Sequence, residues 1–144
     1  VVSKFIGRYE HSLDTKGRIV IPARFRTSFE TSAYLSQFDD GCVALWTPVE
    51  FDKQLASMEA RQERSPGDRN LTRIWAGGSV EVEIDRQGRF AIPTWLRAFA
   101  HLETAVLVMG ALDRVELWNP DEWEARIRPA EQTLLHPPER AAVV

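Results

Sequence analysis

Residues 14–26 read DTKGRIVIPARFR, and residues 85–97 read DRQGRFAIPTWLR. Asp14, Gly17, Arg18, Ile21, Pro22 and Arg26 recur as Asp85, Gly88, Arg89, Ile92, Pro93 and Arg97, an offset of 71 positions (14 to 85). A second pair follows in the same order: VALWTPVEF at 43–51 and VELWNPDEW at 115–123, offset by 72 (43 to 115). One inserted residue reconciles the two offsets. Two ordered matches at nearly one spacing mark an internal duplication.

Each copy reads as a strand, a turn, a returning strand and a short helix. Tyr9, His11 and Leu13 alternate with Glu10 and Ser12, and Val80, Val82 and Ile84 alternate with Glu81 and Glu83. Period two is a strand with one buried face. Asp–x–x–Gly then makes the turn: the Asp side chain bonds backbone amides two residues on, and Gly accepts positive φ. On the return, Ile19 and Ile21 share one face and Arg18 and Val20 the other; Phe90 and Ile92 likewise oppose Arg89 and Ala91. Pro22 and Pro93 keep the preceding residue extended and suit a first helical position, which predicts helices over 22–29 and 93–100.

The later block of each copy predicts a strand followed by a capped helix. Thr47-Pro48-Val49-Glu50 and Asn119-Pro120-Asp121-Glu122 each place a capping side chain, a proline and a glutamate where a helix starts. Trp46 and Trp118 are expected beneath those caps, with Phe51, Leu55 and Met58, and Trp123 and Ile127, as inner stripes. The predicted organisation is a first repeat over 5–59, a linker over 60–78, a second repeat over 79–128, and a weakly ordered tail over 129–144. The linker is polar to residue 69, with a helix from Ser65 to about Trp75 closed by Gly77-Gly78. The tail carries Pro129, Pro137 and Pro138.

These signatures resemble the MraZ family of bacterial transcriptional regulators, within the AbrB-like group of swapped-hairpin DNA-binding folds. The resemblance covers residues 5–128. It implies a mixed α/β (α+β) fold: two tandem β-hairpin/helix modules related by a pseudo-twofold axis, forming one β-barrel-like core with peripheral helices. It further implies that subunits close into homo-oligomeric rings. The rings present Asp–x–x–x–Arg loops to direct repeats in the promoter of a division and cell-wall gene cluster. Carried over by position, that motif is Asp14 to Arg18 in the first copy and Asp85 to Arg89 in the second. Lys16 stands before the first glycine, whereas the second copy has Gln87 there and Arg86 before it.

The residue chemistry suits double-stranded DNA. Arg18 and Arg89 can grip a phosphate or read guanine O6 and N7 with two bonds. Lys16 and Arg86, at the turn tips, are expected on phosphates, which adds affinity but little sequence information. Asp14, Gly17, Asp85 and Gly88 are expected to build the turns and orient the arginines. The competing reading makes Arg18 and Arg89 solvated strand residues paired with Glu10 or Glu81. Arg24, Arg26 and Arg97 read as a solvated helix face or ion pairs, and the aromatics at 25, 29, 51, 95, 99 and 123 as core or subunit interface.

Charge distribution fits this reading better than the net value of −3 does. Residues 1–30 carry six basic groups against three acidic ones, and residues 101–144 carry four arginines against eight carboxylates. Two cations per turn bind nonspecific DNA weakly at physiological salt, so function is expected to need several subunits acting together. His11, His101 and His136 have no ligand spacing, and no phosphate-cradling loop or nucleophile elbow is present, so neither an enzyme nor a cofactor nor a small-molecule substrate is expected. Cys42, the lone cysteine, reads as a buried small hydrophobe. With no signal-like or membrane-length apolar run, a cytoplasmic, nucleoid-associated protein without membrane contact is expected. An antitoxin-like protein-interaction module and a nonspecific architectural DNA binder are the alternatives.

Overall fold

The two copies interlock. In the computed structural model, which describes residues 4–138, the first repeat supplies β1 (Arg8–Ser12), β2 (Arg18–Val20), α1 (Ala23–Phe29), β3 (Ser32–Gln37), β4 (Val43–Trp46) and α2 (Pro48–Arg61). Helix α3 (Pro66–Gly78) leads into β5 (Val80–Glu83), β6 (Arg89–Ala91), α4 (Thr94–Phe99), β7 (Ala105–Gly110), β8 (Val115–Trp118) and α5 (Pro120–Arg126). A 3₁₀ turn (Arg128–Ala130) and α6 (Glu131–Leu135) follow.

Six strands form an antiparallel sheet in the order β1-β7-β8-β4-β3-β5, and β2 and β6 pair separately as a two-stranded ribbon. Exchanging each strand for its counterpart in the other repeat returns the same order read from the opposite end. This is the pseudo-twofold relation expected of the duplication. Its axis passes between β4 and β8, where Ala44 faces its equivalent Glu116, and through the ribbon, where Ile19 faces Phe90. β1 and β5 are the two edges of the sheet, and no pairing joins them among the described residues.

Each strand–turn–strand segment is a hairpin only at its turn. Past the Asp14–Arg18 bond its arms part: β1 pairs with β7, and β2 with β6. The halves therefore share one core. Ile19, Ile21, Phe25 and Phe29 pack with Phe90, Ile92, Leu96 and Ala100, all at most 2% exposed. Phe5 adds an edge contact to Phe25 and a stacked contact to Phe29, each 5.3 Å between centroids. Each such buried Ile, Leu or Phe side chain stabilises the fold by roughly 1.5–3 kcal/mol.

The predicted caps form. Thr47 Oγ1 accepts from the Glu50 amide, Ser65 Oγ from Asp68, and Asn119 Oδ1 from Asp121 and Glu122. Trp46 and Trp118 are each 1% exposed beneath them. The segment 60–78 is more helical than its polarity suggests: α2 runs to Arg61 and α3 includes both terminal glycines. Trp75 explains this, stacking on Phe51 at 5.3 Å and tying α3 to α2. Leu55, expected in the α2 inner stripe, is 39% exposed. The part of the tail expectation that covers residues 129–135 meets the 3₁₀ turn and α6; the part from residue 139 lies outside the described residues.

Candidate nucleic-acid interface

Each signature folds its carboxylate back on its own backbone. Asp14 Oδ1 accepts from the amides of Lys16 and Arg18, both at 2.9 Å, while Oδ2 accepts from Arg18 Nε at 2.8 Å. The second turn repeats this. Asp85 Oδ1 accepts from Gln87 and Arg89 amides at 2.9 Å, and Oδ2 from Arg89 Nε at 2.9 Å. The Gly17 and Gly88 amides donate to the Asp14 and Asp85 carbonyls, and both glycines take positive φ, 74° and 78°. The backbone bonds from Arg18 and Arg89 are the leading cause that holds both carboxyls below their usual pKa. The arginine partners are thus Asp14 and Asp85, four residues back, rather than Glu10 or Glu81.

Pairing in the ribbon decides where these arginines face. Arg18 stands opposite Ala91 and Val20 opposite Arg89, so all four share the face away from buried Ile19 and Phe90. Arg18 and Arg89 are diagonal neighbours on that face, a relation that puts backbones about 7–8 Å apart. The two Arg–Asp pairs stand at opposite ends of the ribbon. Only Nε of each is used by its aspartate, which leaves the Nη1 and Nη2 donors without a protein partner among the described residues. Lys16, Arg86 and Gln87 are exposed at the turn tips.

Two further arginines belong to the site. Arg97 bonds the Ile92 carbonyl through Nε at 2.9 Å and packs under Gly17; Arg26 bonds the Ile21 carbonyl through Nη2 at 3.3 Å and packs under Gly88. The expectation of a solvated face or an ion pair therefore gives way to a half-buried guanidinium seated against the other repeat's turn. The backbone makes the same exchange, with Ile21 N donating to Gly88 O and Ile92 N to Gly17 O. The signal that could have found them was present: Arg26 and Arg97 are themselves matched members of the repeat. Arg24 is exposed. Among the aromatics, Phe25, Phe29 and Phe51 are core, Trp123 is half-buried, and Trp95 and Phe99 are exposed.

The duplicated turn and its swapped pairing agree with the outcome of comparison with known proteins. The family model described as "MraZ protein, putative antitoxin-like" matches twice, over residues 5–74 and 75–144. The chain belongs to the MraZ family. Similar MraZ proteins come from Halothermothrix orenii, 33% identical over 129 residues covering 90% of each chain, and Thermoanaerobacter sp. strain X514, 37% identical over 119 residues covering 83% of each. One from Thermomicrobium roseum is 36% identical over 122 residues, 85% of this chain and 86% of that one. All three are named transcriptional regulator MraZ, a regulator rather than an enzyme class.

Proposed function

We propose that this chain is a sequence-specific transcriptional regulator whose two Asp–x–x–Gly–Arg turns read double-stranded DNA. The observation that carries this reading is the pair of aspartate-held arginines on one face of the β2/β6 ribbon, their outer donor pairs unused. Holding Nε costs the guanidinium its rotational freedom before DNA arrives, and the remaining Nη1–Nη2 edge matches guanine O6 and N7. A two-stranded ribbon fits a major groove. Lys16 and Arg86 supply phosphate contacts on either side, while Asp14, Gly17, Asp85 and Gly88 hold the turns.

One chain offers few cations, so tight binding needs several chains on adjacent sites. We read the working form as a closed homo-oligomeric ring on promoter direct repeats, those of a division and cell-wall gene cluster, in the cytoplasm at the nucleoid. The regulator name of the relatives supports the role, and the family resemblance supports the ring and the target.

Fluorescence anisotropy against the chain's own upstream DNA and a scrambled duplex, across a salt series, tests this. Wild type is expected to prefer the promoter. Arg18→Ala with Arg89→Ala is expected to lose that preference at unchanged oligomeric size, and Lys16→Ala with Arg86→Ala to weaken binding to both duplexes and lower the salt slope by about 2, one per lost phosphate contact. Equal affinity for both duplexes would indicate architectural binding. The antitoxin wording of the family description favours a second reading, a protein partner. An intact oligomer that binds neither duplex but retains a stoichiometric partner would support it.

A further inference from the structure

Each reading turn takes its shape from its own repeat and its place from the other. The bonds that shape the second turn lie within residues 85–89: Gly88 N donates to Asp85 O, Asp85 N to Arg89 O, and the Asp85 carboxylate holds Gln87 and Arg89. Its seat is built by the first repeat. Ile21, 1% exposed, donates its N–H to Gly88 O, and its carbonyl accepts from Arg26 Nη2. The Arg26 guanidinium lies so close under Gly88 that a methyl built on the glycine would overlap it. Ile92 and Arg97 make the same clamp on Gly17.

Hydrogen bonding alone does not account for where these arginines lie. Neither has a carboxylate partner among the described residues, and Arg26 Nε is buried with no hydrogen-bond partner among them. Each guanidinium instead packs against a backbone position that has no Cβ. Gly88 and Arg89 are consecutive, as are Gly17 and Arg18, so a shift of the glycine carries the reading arginine with it. Bidentate reading of a base edge needs its donors held to about 0.5 Å. We propose that Arg26 and Arg97 are positioning residues that act crosswise: Arg26, on the first repeat's α1, sets the base preference of Arg89, and Arg97, on the second repeat's α4, sets that of Arg18. The inference rests on the DNA reading above and names the residues that fix its specificity. Each end of the bound DNA is then read by one repeat and tuned by the other.

Four variants of the full chain test it. Arg26→Met and Arg97→Met remove the guanidinium and keep an apolar stem; Arg26→Lys and Arg97→Lys keep the charge and lose the flat fork. Both side chains are half-buried, so the variants should keep wild-type oligomeric size; should a Met variant fail to fold, its Lys counterpart decides. The probe is the chain's own upstream duplex carrying 7-deazaguanine, which lacks N7, at one guanine at a time. For wild type, each substitution under Arg18 or Arg89 should weaken binding about tenfold, and Arg18→Ala and Arg89→Ala assign which guanine belongs to which. Both Arg26 variants should lose the penalty at the guanine of Arg89 and keep it at that of Arg18; both Arg97 variants should do the reverse. Hydrogen exchange without DNA gives a second readout: residues 85–89 should exchange faster in the Arg26 variants and residues 14–18 in the Arg97 variants, each about tenfold. Penalties or exchange that change in the arginine's own turn, in both turns or in neither overturn the inference while the DNA reading stands. So does an Arg26→Lys that keeps every penalty beside an Arg26→Met whose salt slope falls by about 1, the mark of a phosphate contact. A wild type with no promoter preference overturns both.

Discussion

Arg97, on the second repeat's α4, lies beneath Gly17 in the first repeat's turn: a Cβ placed on Gly17 would stand 2.9 Å from its guanidinium carbon. Arg26 and Gly88 form the mirrored pair, closer still at 2.3 Å to Nε. Each candidate DNA-reading turn is therefore seated on a side chain from the other half. The two turns cannot be positioned independently, and damage to one repeat's helix is felt at the other repeat's tip.

Gly17→Ala and Gly88→Ala should both destabilise the chain. Left-handed backbone costs a residue with a Cβ about 1–2 kcal/mol, and the new methyl must also displace the arginine below. The loss is expected to be larger at Gly88, where Arg26 is nearer. Urea midpoints measure it. In an Arg97→Ala background the cost of Gly17→Ala should fall to the backbone share alone; a cost that does not change would mean the arginine yields freely.

The turn carboxylates give a pH signature. Asp14 and Asp85 have folded pKa values below the ordinary 3.8. Their charge thus contributes stability that is fully present above 3.8 and is lost as pH falls through the lower folded value. Asp14→Asn with Asp85→Asn should be less stable than wild type near neutral pH, and the two should converge by about pH 2. A gap that persists in acid would show that the aspartates act by shape rather than charge. The same variant should bind promoter DNA more weakly, because its arginines are no longer held through Nε.

What could be read from the chain alone was what repeats locally. The Asp–x–x–Gly turns, the outward Arg18 and Arg89, the Pro22 and Pro93 helices and the Thr47 and Asn119 caps each depend on residues a few positions apart. What only the fold reveals is pairing across the molecule. Alternation shows that β1 and β2 each have a buried face but not that β1 joins β7 and β2 joins β6, because period two is blind to the partner strand. For the same reason Arg26 and Arg97 read as helix-surface residues. Their contacts, Gly88 and Gly17, lie 62 and 80 positions away (26 to 88, 17 to 97).

Cys42 should behave as core rather than as a reactive thiol. It is fully buried, and burial pushes its pKa up, away from the thiolate form that attacks electrophiles. A thiol-specific reagent at about pH 8 should label the native protein only at the rate at which it opens, and immediately in denaturant. Rapid labelling of the folded protein would mean that the β3–β4 corner opens locally.

The two pseudo-equivalent tryptophans offer a sharper comparison, because they satisfy the same buried N–H differently. Trp46 Nε1 donates to Ser36 Oγ at 2.9 Å, with both residues at most 1% exposed. Trp118 Nε1 donates to Glu116 Oε1 at 2.9 Å, while Glu116 Oε2 accepts from Arg114 at 2.8 Å. Arg114 in turn lies 4.2 Å over the Phe38 ring. Ser36→Ala removes one acceptor and should cost about 1–3 kcal/mol, the desolvation of an orphaned donor. Glu116→Ala orphans an indole and takes one of two carboxylates from a guanidinium only 23% exposed. Asp113 still pairs with that arginine, so the cost should fall near the lower end of the about 3–5 kcal/mol seen when a buried pair is broken. Denaturant unfolding of the two variants ranks them. A Ser36→Ala loss equal to or above that of Glu116→Ala would mean that Asp113 alone suffices for Arg114, and that the second repeat tolerates the polar cluster rather than depending on it.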